Sequence, residues 1–178
     1  MAVDRANLGR CIAVVNLKGG VGKTSITTNT AGIIAAAYAA SGSDARVCVV
    51  DLDPQGNVAL DLGVIADSDQ GHGFAAAAFS GGRPPVMADV RPHLDIVPGG
   101  EQLHDLVGTL NSRSRRSTAR PRWPNGTGTD AGEETLWDTM VNSLNALAED
   151  YTLLLLDCPP GNDLLIDGAL AAARHLII

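Results

Sequence analysis

The sequence predicts an α/β fold in which an open, mostly parallel sheet carries helices on both faces. Short apolar runs alternate with longer segments of helical periodicity, and several runs are apolar without interruption, as strands covered on both sides require. A glycine-rich turn and two aspartate-bearing loops each follow such a run, at the strand ends where ligands of open α/β sheets bind. Composition agrees: 178 residues, 45% hydrophobic and 19% charged, describe a globular chain able to bury a core, read as one domain over 1–178.

In chain order, CIAVVN (11–16), RVCVVD (46–51), LDIV (94–97), YTLLLLD (151–157) and HLII (175–178) predict strands. Helices are expected between them. One covers 24–39, opening on Thr and Ser and continuing through Ile and Ala. A second covers 101–110, where Leu103, Leu106, Val107 and Leu110 share a face. A third covers 133–149, with Leu136, Met140, Leu144 and Leu147 aligned in the same way. Asp163 is placed to cap a fourth, Leu164 to Ala173. The stretch 66–90 reads only as an alanine-rich helix, FAAAAF, closed by SGGRPP. Strand followed by helix, repeated, means βαβ units. HLII ends inside an apolar strand with no turn residue after it, so an N-terminal fragment, with the sheet truncated at its C-terminal end, is expected.

Several classes are disfavoured. No apolar run reaches the length of a membrane span, and the short CIAVV run meets a glycine-rich loop too soon for a signal peptide. The three cysteines, Cys11, Cys48 and Cys158, lie in or beside apolar runs and read as buried free thiols of a reduced, cytosolic chain. A net charge of −7 argues against coating nucleic acid with the whole surface. The exception is RSRRSTARPR, five arginines in ten residues, within a Ser-, Pro- and Gly-rich stretch. Residues 112–132 are read as a flexible, solvated surface loop, with a weak DNA or partner contact as the sharper alternative.

The chemistry concentrates in three loops. In NLKGGVGKTS, glycines let backbone N–H groups converge on phosphate oxygens, and the helix that follows adds its partial positive charge. Lys23 would reach the β- and γ-phosphates and Thr24 would hold Mg²⁺. Lys18 and Lys23 are the only lysines in the chain. Leu17 stands where the usual phosphate loop has its first glycine, so the motif is the deviant form with an extra lysine. In VVDLDPQGN, Asp53-Pro54 could simply turn and Asn57 cap a helix, but two carboxylates beside a phosphate loop suggest metal and water. One, Asp51 or Asp53, can hold a Mg²⁺-bound water while the other orients the attacking water. In LLLLDCPPG, Asp157 ends a Walker B strand, and Pro159, Pro160 and Gly161 turn a switch-like loop.

KGGVGKT, DLDPQGN and LLLLDCPPGNDLL with GALAAARHLII resemble the ParA/Soj partition ATPases, P-loop NTPases of the deviant Walker A group, and frame nearly the whole chain. The resemblance implies ATP and Mg²⁺ bound in a sandwich homodimer that also binds DNA non-specifically, mainly through residues beyond Ile178. It implies slow hydrolysis stimulated by a ParB-like centromere-binding partner, moving plasmid or chromosome DNA in the cytoplasm, on the nucleoid, with no membrane involved. By the same resemblance Lys18, Gly19, Gly20, Val21, Gly22, Lys23, Thr24 and Ser25 bind the phosphates. Lys18 contacts those of the partner subunit, Asp53 positions the water, and Thr24, Asp51 and Asp157 hold the metal, the two aspartates through water. The arginine-rich stretch and the sequence PPGND, where serine commonly follows the prolines, depart from the family pattern. Rival readings are a MinD-like cell-division ATPase and a dethiobiotin synthetase-like ligase. DLDPQGN favours partition over the first, and the second would need a small-molecule substrate pocket.

Overall fold

The computed structural model of the protein describes residues 5–114, 136–161 and 164–178. Among the described residues there are six strands, and five are the expected ones: β1 (Cys11–Val14), β2 (Val47–Asp51), β4 (Leu94–Val97), β5 (Leu153–Asp157) and β6 (His175–Ile177). The sixth, β3 (Met87–Arg91), lies in the stretch that sequence patterning leaves unread. The order across the sheet is β3-β4-β2-β5-β1-β6, and only the β3–β4 pair is antiparallel.

Central strands show why uninterrupted apolar runs were needed. Along β2, Val47 and Val49 enter one core while Cys48 and Val50 enter the other; Leu155 opposes Leu154 and Leu156 in the same way along β5. The first core lies under α1 (Lys23–Ser41) and α2 (Asn57–Asp61). Ala31 and Ala35 are fully buried on α1, small enough to bring that helix close to the sheet. Beneath the other face lie α3 (His72–Ser80), α4 (Leu103–Ser114), α5 (Leu136–Ala148) and α6 (Leu164–Ala172). Phe74, Leu103, Leu106, Met140, Leu144 and Leu147 fill that side. All three cysteines are buried and free, as expected.

Three expectations need correction. Residues 112–114 belong to α4 and not to a surface loop, because no glycine or proline interrupts the helix there; the rest of the 112–132 stretch lies outside the described residues. Asn57 is the first residue of α2, and its cap is Gly56, whose φ of 63° breaks the chain direction without a side chain. α3 begins at His72, ahead of the FAAAAF run. The expected cap Asp163 lies outside the described residues.

β3 is half exposed, with a register shift between Met87 and Arg91, so it shows neither alternation nor an apolar run. Asp95 of β4 fixes it instead. Its carboxylate accepts the Asp89 N–H at 2.7 Å, the Tyr151 hydroxyl at 2.7 Å and two N–H groups of Arg46, which also pairs with Asp89. Burial alone would raise the Asp95 pKa, but the Arg46 and Tyr151 bonds outweigh it and hold the carboxyl below its ordinary value. This network closes the end of the sheet away from the three loops. Asp95→Ala would leave buried donors unpaired and should cost about 3 kcal/mol. Urea unfolding of the intact protein checks this, and a loss under about 1 kcal/mol would show that water replaces the carboxylate.

Candidate nucleotide site

The parallel registers bring the three loops together. Val14 pairs with Asp157, and Asp157 pairs with Asp51, so the chemistry leaves three adjacent strands at one edge. Between β1 and α1 the chain turns through Gly20 (φ 71°) and Gly22 (φ 89°), conformations that glycine adopts without strain. Among the described residues, and apart from the chain neighbours, no atom lies within 4 Å of where a Cβ would stand at either position, so the loop is open there. No side chain caps the N-terminus of α1 and no acidic residue sits in its first turn, which leaves its N–H groups and partial positive charge for an anion.

Lys23 is 8% exposed, and its Nζ donates to the Lys18 carbonyl at 3.4 Å, so the ammonium bridges its own loop. The Thr24 hydroxyl donates to Asp157 Oδ2 at 2.7 Å. Below it, fully buried Thr27 places Oγ1 3.1 Å from Asp157 Oδ1 and 2.9 Å from the Lys23 carbonyl. Asp51 is also fully buried, its two oxygens accepting the Asp53 N–H at 2.9 Å and the Val58 N–H at 3.1 Å. Asp53 Oδ1 accepts the Gln55 N–H at 2.9 Å, which leaves Oδ2 free of that turn.

A cleft of about 470 Å³ opens above these groups. Gly19, Gly20 and Gly22 through Ser25 form one wall, Asp53 and Pro160 lie beside it, and Gln55, Asn57 and Asp61 form the other. Lys23, Thr24, Ser25 and Asp53 of the expected site therefore face one space. Asp51 and Asp157 are fully buried behind the cleft and do not line it, Asp157 reaching it through its bond from Thr24, whereas Lys18 and Val21 are exposed and also outside the lining. Sequence reading missed the wall from Gln55 to Asp61 because α2 is too short to show periodicity. It also missed Gly99, whose position admits no Cβ: one would stand 2.6 Å from Asp51 Cγ. The signal was PGG (98–100) directly after β4.

Electrostatics suit a cation. Burial, reinforced by the charge of Asp157, pushes Asp51 up to about 8. Burial also pushes Asp157 up to about 6, against the pull of the Thr24 and Thr27 hydroxyls. Among the described residues no cluster of three or more His, Cys, Asp or Glu side chains could hold a metal alone. The available ligands are hard oxygens, from Thr24 and the carboxylates, and a hard divalent cation completed by phosphate and water fits that set.

These shifts fix a pH dependence. Both carboxyls titrate higher in the folded chain than the usual value of about 4 in the unfolded one, so the folded state binds more protons in between. Stability of the ligand-free protein should therefore fall as pH rises from about 4, the loss being complete only above about 8. Asp95, held low, contributes only below that window. Melting temperatures from pH 5 to 8 should decline, and Asp51→Asn should flatten the decline. A melting temperature that rises across this window would contradict the assignment.

Comparison with known proteins agrees with this geometry. The chain matches the AAA_31 family, an AAA domain, over residues 9–178. It is 31% identical to the chromosome partitioning protein ParA of Myxococcus xanthus over 97% of its own length and 52% of that protein. It is 30% identical to the sporulation initiation inhibitor protein Soj of Bacillus subtilis, over 96% of this chain and 58% of Soj. Among solved structures, cobyrinic acid a,c-diamide synthase from Mycobacterium smegmatis, with a bound ATP analogue and magnesium, superposes with a TM-score of 0.65. That pair is 26% identical, over 94% of this chain and 58% of the synthase. The chain thus spans little more than half the length of the relatives it matches. Its phosphate loop, its sheet and the match across 9–178 place it in the AAA_31 family, as a homologue of ParA and Soj.

Proposed function

We propose that this chain is the nucleotide-binding part of a ParA/Soj-type ATPase that segregates plasmid or chromosome DNA. The observation that carries the proposal is the joining of the loops: Thr24, first turn of the phosphate-loop helix, donates to Asp157 at the end of β5, with Lys23 across the glycine turn. ATP would lay its phosphates on the backbone N–H groups of Gly19 to Thr24, with Lys23 offsetting their charge. Mg²⁺, held by Thr24 and through water by Asp51 and Asp157, would neutralise charge between the β- and γ-phosphates. Asp53, one oxygen fixed by Gln55 N–H, would orient the attacking water with the other.

The exposure of Lys18, outside the cleft of its own chain, supports a role across the interface of an ATP-dependent homodimer. Identity to ParA and Soj over almost the whole chain supports the partition role, a ParB-like stimulating partner and binding to non-specific DNA in the cytoplasm. No helix among the described residues is long and apolar enough to cross a membrane. A second reading, an amide-forming ligase, is favoured by the 26% identity to cobyrinic acid a,c-diamide synthase. DNA stimulates turnover on the first reading, and a small carboxylic acid stimulates it on the second.

Lys23→Ala in the complete protein should abolish ATP binding, because Lys18 is the only other lysine and does not line the cleft. Calorimetry decides, and unchanged affinity would remove the site assignment. Lys18 can be tested by mixing Lys18→Ala with Asp53→Ala, each expected to be inactive alone. If Lys18 acts across the dimer, a mixed dimer has one whole site, and random pairing restores about a quarter of normal turnover. If it acts within its own subunit, mixing restores nothing although mixed dimers form.

A further inference from the structure

We infer that Thr27 is a positioning residue for Asp157, and through it for the divalent cation; the inference rests on the nucleotide and cation reading above. Thr27 is fully buried, one turn below Thr24 on the same face of α1. Its Oγ1 stands 3.1 Å from Asp157 Oδ1, while Thr24 Oγ1 stands 2.7 Å from Oδ2. The two hydroxyls therefore hold the two oxygens of one carboxylate and fix its rotation about the Cβ–Cγ bond. With the Oδ1 edge held by Thr27, the Oδ2 edge is the one presented to Thr24, which lines the cleft.

A bland alternative exists for any helical threonine, the bond back to the carbonyl four residues earlier. Thr27 has that contact too, at 2.9 Å from the Lys23 carbonyl. A single hydroxyl proton serves one acceptor fully, and a carboxylate is the stronger one. The carbonyl is already within reach of a backbone N–H in the helix, whereas the only other side-chain donor to Asp157 among the described residues is Thr24. Thr24 is also the proposed metal ligand, so Thr27 is the donor that keeps Asp157 oriented while the Thr24 oxygen faces the cation. Partners that orient a metal's ligands typically change metal affinity 10–100-fold when removed.

The test uses the complete protein with Thr27→Val, which keeps the shape and removes the hydroxyl, and Thr27→Ser, which keeps the hydroxyl. Calorimetry measures ADP affinity in EDTA and then the Mg²⁺ concentration that half-saturates the ADP-bound protein; Mn²⁺ titration followed by electron paramagnetic resonance repeats the second measurement. The expected result is unchanged ADP affinity in EDTA, about tenfold more Mg²⁺ for Thr27→Val, and wild-type behaviour for Thr27→Ser. Wild-type Mg²⁺ dependence in Thr27→Val overturns the inference. So does a Thr27→Val chain that fails to fold while Thr27→Ser shows the Mg²⁺ defect, because the hydroxyl then does not set the affinity. A Thr27→Val chain that fails to fold beside a wild-type Thr27→Ser also overturns it, assigning Thr27 to the core. If the unaltered protein binds no ADP at all, the nucleotide reading itself fails, and that outcome is separate from every comparison of the variants.

Discussion

The pairing of Asp157 with Asp51 across two central parallel strands is the constraint on which the rest of the site depends. It sets two carboxylates side by side in a dry interior, where neither is fully stable as an anion. Each is then tied down by donors from a different element. Asp51 takes two backbone N–H groups from the loop it begins, and that loop consequently closes into α2. Asp157 takes two hydroxyls from α1, which anchors the phosphate loop to the sheet. The polar groups that would otherwise destabilise the core thereby become the fixings of the two loops that face the nucleotide.

Buried carboxylates with raised pKa values also describe a site incomplete by itself. Burial first, and then the charge of Asp157 on Asp51 and of Asp53 on Asp157, disfavours their ionisation, and a divalent cation reverses that preference. The folded chain therefore carries an unmet demand for positive charge at the carboxyl ends of β2 and β5. Gly99 shows how closely the backbone is built around this demand: the bend after β4 passes so near Asp51 that no side chain fits between them.

Much of this was legible in the sequence because the relevant signals are local. Strands covered on both faces must be apolar throughout, so β1, β2, β4 and β5 stood out. The phosphate loop is a run of glycines and lysines between a strand and a helix. Hidden parts are those whose reason is tertiary. β3 is an edge strand held by Asp95, a residue that arrives later in the chain, so MADVR has no pattern of its own. α2 is only five residues long, and Gly56, not the side chain of Asn57, caps it. Thr27 looks like any helical threonine until β5 places Asp157 against it. The end of α4 was misjudged because an arginine- and serine-rich composition reads as loop, although neither residue stops a helix.

The two lysines can now be separated by position. Lys23 lies inside the loop, nearly buried, its compact ammonium bonded to the Lys18 carbonyl. Lys18 lies outside, exposed, with its backbone N–H pinned to Asn16 Oδ1 at 3.0 Å so that the loop leaves β1 at a fixed angle. In the cleft the charges do not balance: Asp53 and Asp61 stand against one inward lysine, with Asp51 and Asp157 buried behind them, before any phosphate is added. A nucleotide bound there deepens the deficit. A divalent cation offsets part of it, and the remainder calls for a cation from beyond the cleft. On the proposed reading that cation is the exposed Lys18 of a second copy of the chain, and hydrolysis waits for that encounter.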